Sequence, residues 1–260
     1  MSRFILMSFD VEEFDIPLEY NYKIDIAEQM QIGKQGLDEM LPVVNTFDIA
    51  TTMFTTANFA QQFPNTVKAM SAKHEIASHT FYHTTFKNED LLASKLKLEE
   101  ITGKTVTGLR MPRMRKVEMS EVKKAGYLYD SSINPTWLPG RYNNLHLSRT
   151  LYQQEGMLRL PASVSPNLRL PLFWLAFKNY PYWLFKQLVV QTLKKDGYIC
   201  LYFHPWEFTN IHSFNLPSYV KKLCGKALQG RLEKLIQDIK KEGEFVTIEN
   251  YIQKERIILN

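Results

Sequence analysis

Two clusters of ionisable residues have the types and spacing of a hydrolytic metal site. Four acids occur within six positions, from Asp10 to Asp15, directly after the apolar run Phe4–Phe9. Two histidines, His79 and His83, are four positions apart, so they can lie on one face of a helical turn and converge on one ion. Two histidines, one carboxylate and an open coordination position make a hydrolytic zinc site. Taken singly, the acids are also typical of a helix-capping loop. The histidines, taken singly, are also typical of packed or surface residues.

Three further apolar runs each end in an ionisable residue: Arg110, Asp130 and His204. Each has an ordinary structural interpretation, namely a salt bridge, a helix cap and a hydrogen-bonded core histidine. Because five successive predicted strands all end in such groups, the set as a whole indicates a catalytic site.

The elements that must position these residues are short apolar runs separated by longer helical patterns. The predicted strands are Phe4–Phe9, Thr51–Thr55, Glu75–Ser78, Val106–Leu109, Tyr127–Tyr129, Met157–Leu160, Tyr198–Phe203 and Glu244–Thr247. The predicted helices are Gly36–Phe47, Asn88–Ile101, Pro181–Leu193 and Leu228–Lys241. Pro42 is expected to kink or shorten the first helix, because it lacks an N–H.

Strands that alternate with helices predict βαβ units and a mainly parallel sheet. Six to eight units in 260 residues favour an α/β fold, a distorted β/α barrel of about seven parallel strands, with an open doubly wound sheet as the alternative. No internal repeat and no Gly/Ser-rich linker occurs, so we expect a single domain over residues 1–260. In such folds the chemistry gathers at the carboxyl ends of the strands.

Composition excludes several classes of protein. Hydrophobic residues make up 45% of the chain and charged residues 23%, which excludes a disordered protein. The two cysteines, Cys200 and Cys224, cannot form a disulfide framework. No signal-peptide pattern and no apolar run of about 18 residues occurs, so we expect a soluble, cytoplasmic protein with at most peripheral membrane contact.

Charge is unevenly spread along the chain. Residues 1–100 carry 8 basic and 15 acidic side chains, a net charge of −7, whereas residues 101–190 carry 13 and 4, a net charge of +9. The plainer interpretation is a solvated surface. The alternative is that the basic stretch faces an anionic ligand.

Taken in order, the strand-end residues resemble five motifs of the polysaccharide deacetylase family, carbohydrate esterase family 4, over about Arg3 to Phe208. The matching segments are Ser8–Glu12, His79–His83, Arg110–Arg113, Asp130–Ser132 with Trp137, and Tyr202–His204. The Asp-Val-Glu and Phe-His-Pro-Trp-Glu sequences are similar to a branch of the family associated with exopolysaccharide export.

Three positions depart from the family pattern. Val11 occupies the place of the metal-binding second aspartate, so Glu12 or Glu13 must supply that oxygen. Related branches place the ligand two residues after the catalytic base, which favours Glu12. Arg113 and Tyr202 replace a tyrosine and a leucine that shape the acetyl pocket.

The resemblance implies a metal-dependent hydrolase that removes N-acetyl groups from an amino-sugar-containing glycan, and it implies no nucleic-acid partner. Glu12, His79 and His83 would hold a divalent metal, with zinc as the expected ion. A backbone N–H near Met111 would help to hold the oxyanion.

The resemblance also assigns the acid–base and substrate residues. Asp10 would act as the base, kept ionised by Arg110, and His204 as the acid, oriented by Asp130. The expected substrate-binding residues are Arg113, Trp137 and Trp206. A cation at position 113 would suit an acidic or carrier-lipid-linked glycan.

Three alternatives remain open. The same fold could hydrolyse a non-sugar amide or ureide, as in allantoinase-like relatives. A barrel that lost its metal with the change to Val11 could bind carbohydrate without catalysis. Oxygenase iron sites also use two histidines and a carboxylate, but they place the carboxylate two residues after the first histidine, where this chain has Phe81.

Overall fold

The computed structural model describes residues 2–255, which form eleven β-strands and ten α-helices. The strands are Phe4–Val11 (β1), Thr52–Thr55 (β2), Glu75–Ser78 (β3), Gly108–Leu109 (β4), Tyr129–Asp130 (β5), Trp137–Leu138 (β6), Tyr142–Asn143 (β7), Tyr152–Gln154 (β8), Met157–Arg159 (β9), Tyr198–Phe203 (β10) and Glu244–Phe245 (β11). The helices are Ile26–Thr46 (α1), Ala57–Gln62 (α2), Pro64–Met70 (α3), Glu89–Thr102 (α4), Met119–Lys124 (α5), Trp174–Asn179 (α6), Tyr182–Asp196 (α7), Ser218–Lys221 (α8), Gly225–Ile239 (α9) and Ile248–Lys254 (α10).

The strands form a curled, mostly parallel sheet in the order β10-β1-β2-β3-β4-β5-β9-β8, with β11 paired to the start of β1. Only β8 runs antiparallel to its neighbour in this sheet. The loop after β9 approaches β10, because the Ser163 N–H donates to the Cys200 carbonyl at 2.8 Å. The α/β class and the distorted barrel are therefore confirmed, and each of the eight predicted strands is present.

Strand β1 separates two apolar layers. Phe9 and Val11 belong to the cluster that packs the sheet against the outer helices, whereas Leu6 belongs to the cluster inside the curled sheet. Successive side chains of a strand point to opposite faces. Asp10 and Glu12 therefore share the inner face with Leu6, and Val11 is directed away from them.

Helix α1 begins ten residues earlier than predicted and brings its backbone against the functional loops. The Asp25 side chain caps it by accepting from the Glu28 N–H at 2.8 Å. Two of its glycines lie against backbone carbonyl groups. A Cβ atom added at Gly33 would fall 2.4 Å from the carbonyl oxygen of Glu12, and one added at Gly36 would fall 2.2 Å from the carbonyl oxygen of Pro205. Both sites need glycine because this close approach leaves no room for a side chain.

Two features of local structure differ from the sequence analysis. Pro42 does not shorten α1, which continues to Thr46. The hairpin of β6 and β7 and the short strand β8 were not predicted, because two- and three-residue strands carry too few residues to show a period. Within residues 2–255, no helix is both long enough and apolar enough to cross a membrane.

Candidate metal and hydrolytic site

Five of the strand-end residues line one cavity of about 310 Å³ at the carboxyl edge of the sheet. Asp10 and Glu12 enter it from β1, His79 and His83 from the loop after β3, and His204 from the end of β10. The five residues come together because the strands are parallel, so their carboxyl ends meet at one edge.

Glu12, His79 and His83 form a buried three-residue cluster. The Oε2 atom of Glu12 lies 3.0 Å from Nε2 of His79 and 3.0 Å from Nε2 of His83. Their ligand atoms all lie within 4.8 Å of one another. The other candidate, Glu13, lies outside the cluster and accepts from the Thr56 hydroxyl at 2.8 Å.

Outer contacts orient both histidine rings. Nδ1 of His79 lies 2.7 Å from the Arg110 carbonyl oxygen, and Nδ1 of His83 lies 2.7 Å from Oδ1 of Asp15. When the rings are neutral, such partners favour the tautomer with the proton on Nδ1, so Nε2 is the nitrogen that can bind an ion. The histidines do not lie on a helical turn as expected, since Thr80 has a φ of 62° and the segment is a loop.

The residues present fit a divalent cation. Oε2 of Glu12 is buried and accepts no hydrogen bond in the described structure, although both imidazoles approach it. Burial acts to raise the pKa of Glu12, but the charges of His83 and His204 outweigh it and hold that pKa well below its usual value. Against the opposing effect of burial, Glu12 and Asp15 raise the pKa of His83 to about 10. A carboxylate with two imidazole nitrogens is a donor set that suits zinc and related ions.

Asp10 is held beside this cluster by a fully buried arginine. Nη1 of Arg110 donates to Oδ1 of Asp10 at 2.6 Å and to the Ser8 hydroxyl at 2.9 Å. The guanidinium carbon lies 4.0 Å from the ring centre of Phe54 and 5.0 Å from that of Tyr202. These contacts fix the position of the Arg110 side chain, and its hydrogen bond in turn fixes the orientation of the Asp10 carboxylate.

His204 lies beside both Asp10 and the cluster. Its Nε2 atom is 3.9 Å from Oδ2 of Asp10 and 3.9 Å from Oε1 of Glu12, and its ring stacks on Trp206 with centroids 4.9 Å apart. Its Nδ1 atom lies 3.1 Å from Oε1 of Glu207. Burial acts against protonation, but the charges of Glu12 and Glu207 outweigh it and raise the pKa of His204.

The expected contact between Asp130 and His204 was wrong. Oδ2 of Asp130 lies 3.0 Å from Nε of Arg159, and the Ser132 hydroxyl donates to Oδ1. The oxyanion donor expected near Met111 is also engaged, since the Met111 N–H donates to the Ser132 hydroxyl at 2.8 Å. Both groups are engaged because Ser132 bonds to each of them.

The three expected substrate-binding residues have different surroundings. Trp206 is buried in the cavity wall, where its Nε1–H donates to Oε1 of Glu12 at 3.1 Å. Trp137 is 60% exposed and is not among the residues that line the cavity. Arg113 lines the mouth, but it donates to Oδ2 of Asp15 at 2.8 Å and to Oε1 of Glu19 at 2.5 Å, so its charge is already paired.

Sequence reasoning missed three residues of the site. Asp15 was visible only as one of the four clustered acids. Glu207 stands three positions after His204, the spacing at which an acid can bond back to the residue that begins a helical turn. Trp174 lies edge-on to His204 with ring centres 5.0 Å apart, and no sequence pattern distinguished it from other aromatics of the stretch.

Together the fold and the site define a β/α-barrel protein with a buried Glu-His-His cluster next to an aspartate and a histidine. A family model described as polysaccharide deacetylase matches residues 27–129, which include His79, His83 and Arg110. No curated protein matches the chain. The matched residues make up less than half of the chain.

Solved structures share the fold at low sequence identity. A structure named as a probable polysaccharide deacetylase from Pseudomonas aeruginosa PAO1 aligns with a TM-score of 0.66 and 16% identity, covering 99% of this chain and 93% of that one. PuuE allantoinase aligns with a TM-score of 0.63 and 15% identity, covering 97% and 90%. A CE4 family pseudoenzyme from Bacillus anthracis aligns with a TM-score of 0.53 and 11% identity, covering 96% and 65%.

Proposed function

We propose that this protein is a metal-dependent hydrolase that removes N-acetyl groups from an amino-sugar-containing glycan. The observation that supports it most is the buried Oε2 of Glu12, which faces two imidazole nitrogens at 3.0 Å. Glu12, His79 and His83 would hold the divalent cation. When bound, such a cation supplies Lewis-acid polarisation of the acyl carbonyl and makes a coordinated water more acidic.

The remaining steps belong to side chains of this chain. Asp10 accepts the proton of the attacking water, and Arg110 keeps its carboxylate directed into the cavity through the 2.6 Å contact. An amine is a poor leaving group, so the breaking C–N bond needs a proton. His204 supplies that proton from Nε2, which faces the cavity beside Asp10.

Aromatic rings of the cavity suit a sugar. Trp174, Tyr142 and Tyr20 line its walls, and aromatic faces pack well against the apolar faces of sugar rings. The arginines at the mouth are paired, since Arg141 donates to the second oxygen of Glu19 at 2.8 Å. We therefore propose an uncharged N-acetylhexosamine unit as the substrate. The acidic or carrier-lipid-linked glycan, the exopolysaccharide branch and the peripheral membrane contact stay predictions from the sequence.

The test is acetate release by protein loaded with Zn²⁺ from N-acetylglucosamine oligomers, with a ureide such as allantoin as the competing substrate. Acetate release that is lost on chelation and restored by Zn²⁺ supports the proposal. Turnover of the ureide alone would move the assignment to the ureide hydrolases. Failure of the protein to bind any divalent metal would instead favour a non-catalytic carbohydrate-binding barrel.

The acid and base roles have a separate test. Asp10→Asn and His204→Ala should each lower the rate of acetate release by about 10²–10⁴, the usual contribution of a general acid or base. Bound metal should remain close to that of the wild type. The thermal unfolding midpoint of His204→Ala should also stay close to the wild-type value, whereas that of Asp10→Asn should fall, because Arg110 is then buried without its charged partner. Loss of folding that parallels the loss of rate would assign these residues a structural role.

A further inference from the structure

A single carboxylate oxygen holds His204 at two points. Oε1 of Glu207 accepts the backbone N–H of His204 at 2.8 Å and lies 3.1 Å from its ring Nδ1. His204 follows β10 directly, and Glu207 belongs to the 3-10 turn Pro205–Phe208 that comes next. The side chain of Glu207 thus restricts both the backbone and the ring of His204.

The contact also determines which ring nitrogen faces the cavity. An ionised carboxylate only accepts hydrogen bonds, so Nδ1 of His204 must be the donor. The transferable proton of the charged ring is then on Nε2, on the side of Asp10. Burial acts to raise the pKa of Glu207, but the charges of Lys178 and His204 outweigh it and lower that pKa, which keeps the carboxylate ionised.

A buried lysine holds the far side of this carboxylate. Nζ of Lys178 lies 3.1 Å from Oε2 of Glu207 and donates to the Val220 carbonyl at 2.8 Å. The side chains of Lys178 and Glu207 are both 0% exposed. Lysine is almost never fully buried unless it is paired, and apolar replacements for a buried ion pair are often as stable. A pair retained at this position therefore needs an explanation other than stability.

We propose that Glu207, itself fixed by Lys178, is the positioning residue that orients His204 as the general acid. This inference rests on the proposed function. It assigns to Glu207 the place that the family resemblance gave to Asp130. Among the described residues no hydrogen bond or ion pair joins Asp130 to His204, and Asp130 is occupied by Arg159 and Ser132.

In the proposed step the Nε2 proton of His204 moves to the nitrogen of the leaving amine as the C–N bond of the amide breaks. The acyl carbon keeps the hydroxyl group delivered by water and leaves as a carboxylic acid, which releases its proton to solvent. The Nδ1–H bond stays intact and its hydrogen bond to Glu207 persists. The ring ends neutral and regains a proton from Asp10 or from solvent, so charge and atoms balance.

The kinetic test uses two leaving groups. Glu207→Gln should lower kcat for N-acetylglucosamine oligomers by about 10²-fold with KM unchanged, since a general acid contributes 10²–10⁴. Hydrolysis of 4-nitrophenyl acetate should be little affected, because nitrophenolate leaves without a proton. Equal losses on the amide and the ester, or no loss on either, would overturn the proposal.

A spectroscopic test does not depend on activity. In protein labelled with ¹⁵N-histidine, the His204 signals are assigned by their absence from His204→Gln. The ¹⁵N chemical shifts of wild type should be those of a neutral ring protonated on Nδ1. Glu207→Gln should change these chemical shifts, and the control Asp130→Asn should leave them unchanged. A neutral ring protonated on Nε2, or a response to Asp130→Asn alone, would refute the role of Glu207. If the labelled protein behaves as expected but releases no acetate, only the proposed function fails.

Folding is controlled with a second variant. Glu207→Gln leaves the charge of Lys178 buried without its partner, which can be strongly destabilising. Lys178→Met/Glu207→Gln removes both charges and should fold. Its amide and ester rates then test the proposal under the same criteria.

Discussion

Shortening Glu12 by one methylene should weaken metal binding strongly, while the same change at Glu13 should not. Strand β1 lies between β10 and β2 with eight residues buried, so its backbone cannot move to compensate. Glu12→Asp withdraws the carboxylate by about 1.5 Å, the length of one carbon–carbon bond. Zinc ligands occupy bonds of about 2.0–2.2 Å with a tolerance of about 0.2 Å. The shortened side chain therefore falls outside that range.

The expected magnitude follows from the number of ligands. Structural zinc sites bind with about 10–16 kcal/mol shared among four ligands, so the loss of one ligand should cost roughly 3 kcal/mol. That corresponds to a rise in Kd of about 10²-fold. Glu12→Gln keeps the length and loses the charge, so it separates the effect of reach from that of charge.

Isothermal titration calorimetry of the chelator-treated protein with Zn²⁺ measures this change in Kd. Glu13→Asp is the matched control, because it makes the same change one residue away, where the carboxylate bonds to Thr56 and Asn58. The unfolding midpoints of all variants show whether the fold persists. Wild-type affinity in Glu12→Asp, or an equal loss in Glu13→Asp, would refute the assignment of Glu12 as a ligand.

Three further outcomes follow from the surroundings of single residues. Val11→Asp should not restore metal binding to a Glu12→Ala variant. The introduced carboxyl group faces the outer apolar layer, where burial raises a carboxyl pKa by about 3–5 and so costs about 4–7 kcal/mol. The urea midpoint of the variant should therefore fall. Recovered zinc affinity would contradict the assignment of Val11 to the outer face. Asp15→Asn should weaken zinc binding by about 10–100-fold, because Asp15 orients His83, and an unchanged Kd would exclude that role. Burial and the charge of Lys73 lower the pKa of His74 from 6.5 to about 4, so its contribution to stability is complete above pH 6.5 and is lost as the pH falls toward 4. The wild-type midpoint should fall over that window more steeply than that of His74→Gln, and parallel curves would contradict this.

Local sequence patterns were sufficient where one element decides the outcome. The apolar runs Phe4–Phe9 and Tyr198–Phe203 predicted strands, and both strands are present, with every residue buried. The two-residue spacing of Asp10 and Glu12 follows the period of a strand, so their common face was implied by the chain itself. The order of ionisable groups at successive strand ends predicted one shared edge, because parallel strands bring their carboxyl ends together.

Tertiary structure decided which polar groups form pairs. The partner of His204 predicted from the sequence is Asp130, and only the folded chain shows that Arg159 and Ser132 occupy Asp130 while Glu207 reaches His204. Arg113 is likewise predicted from the sequence to bind an anion, but the fold brings Asp15 and Glu19 to its guanidinium. Strand and helix periods come from backbone geometry within a few residues, so a sequence displays them. A buried charge takes its partners from segments far apart in the chain, and only packing selects which of several acids reaches it.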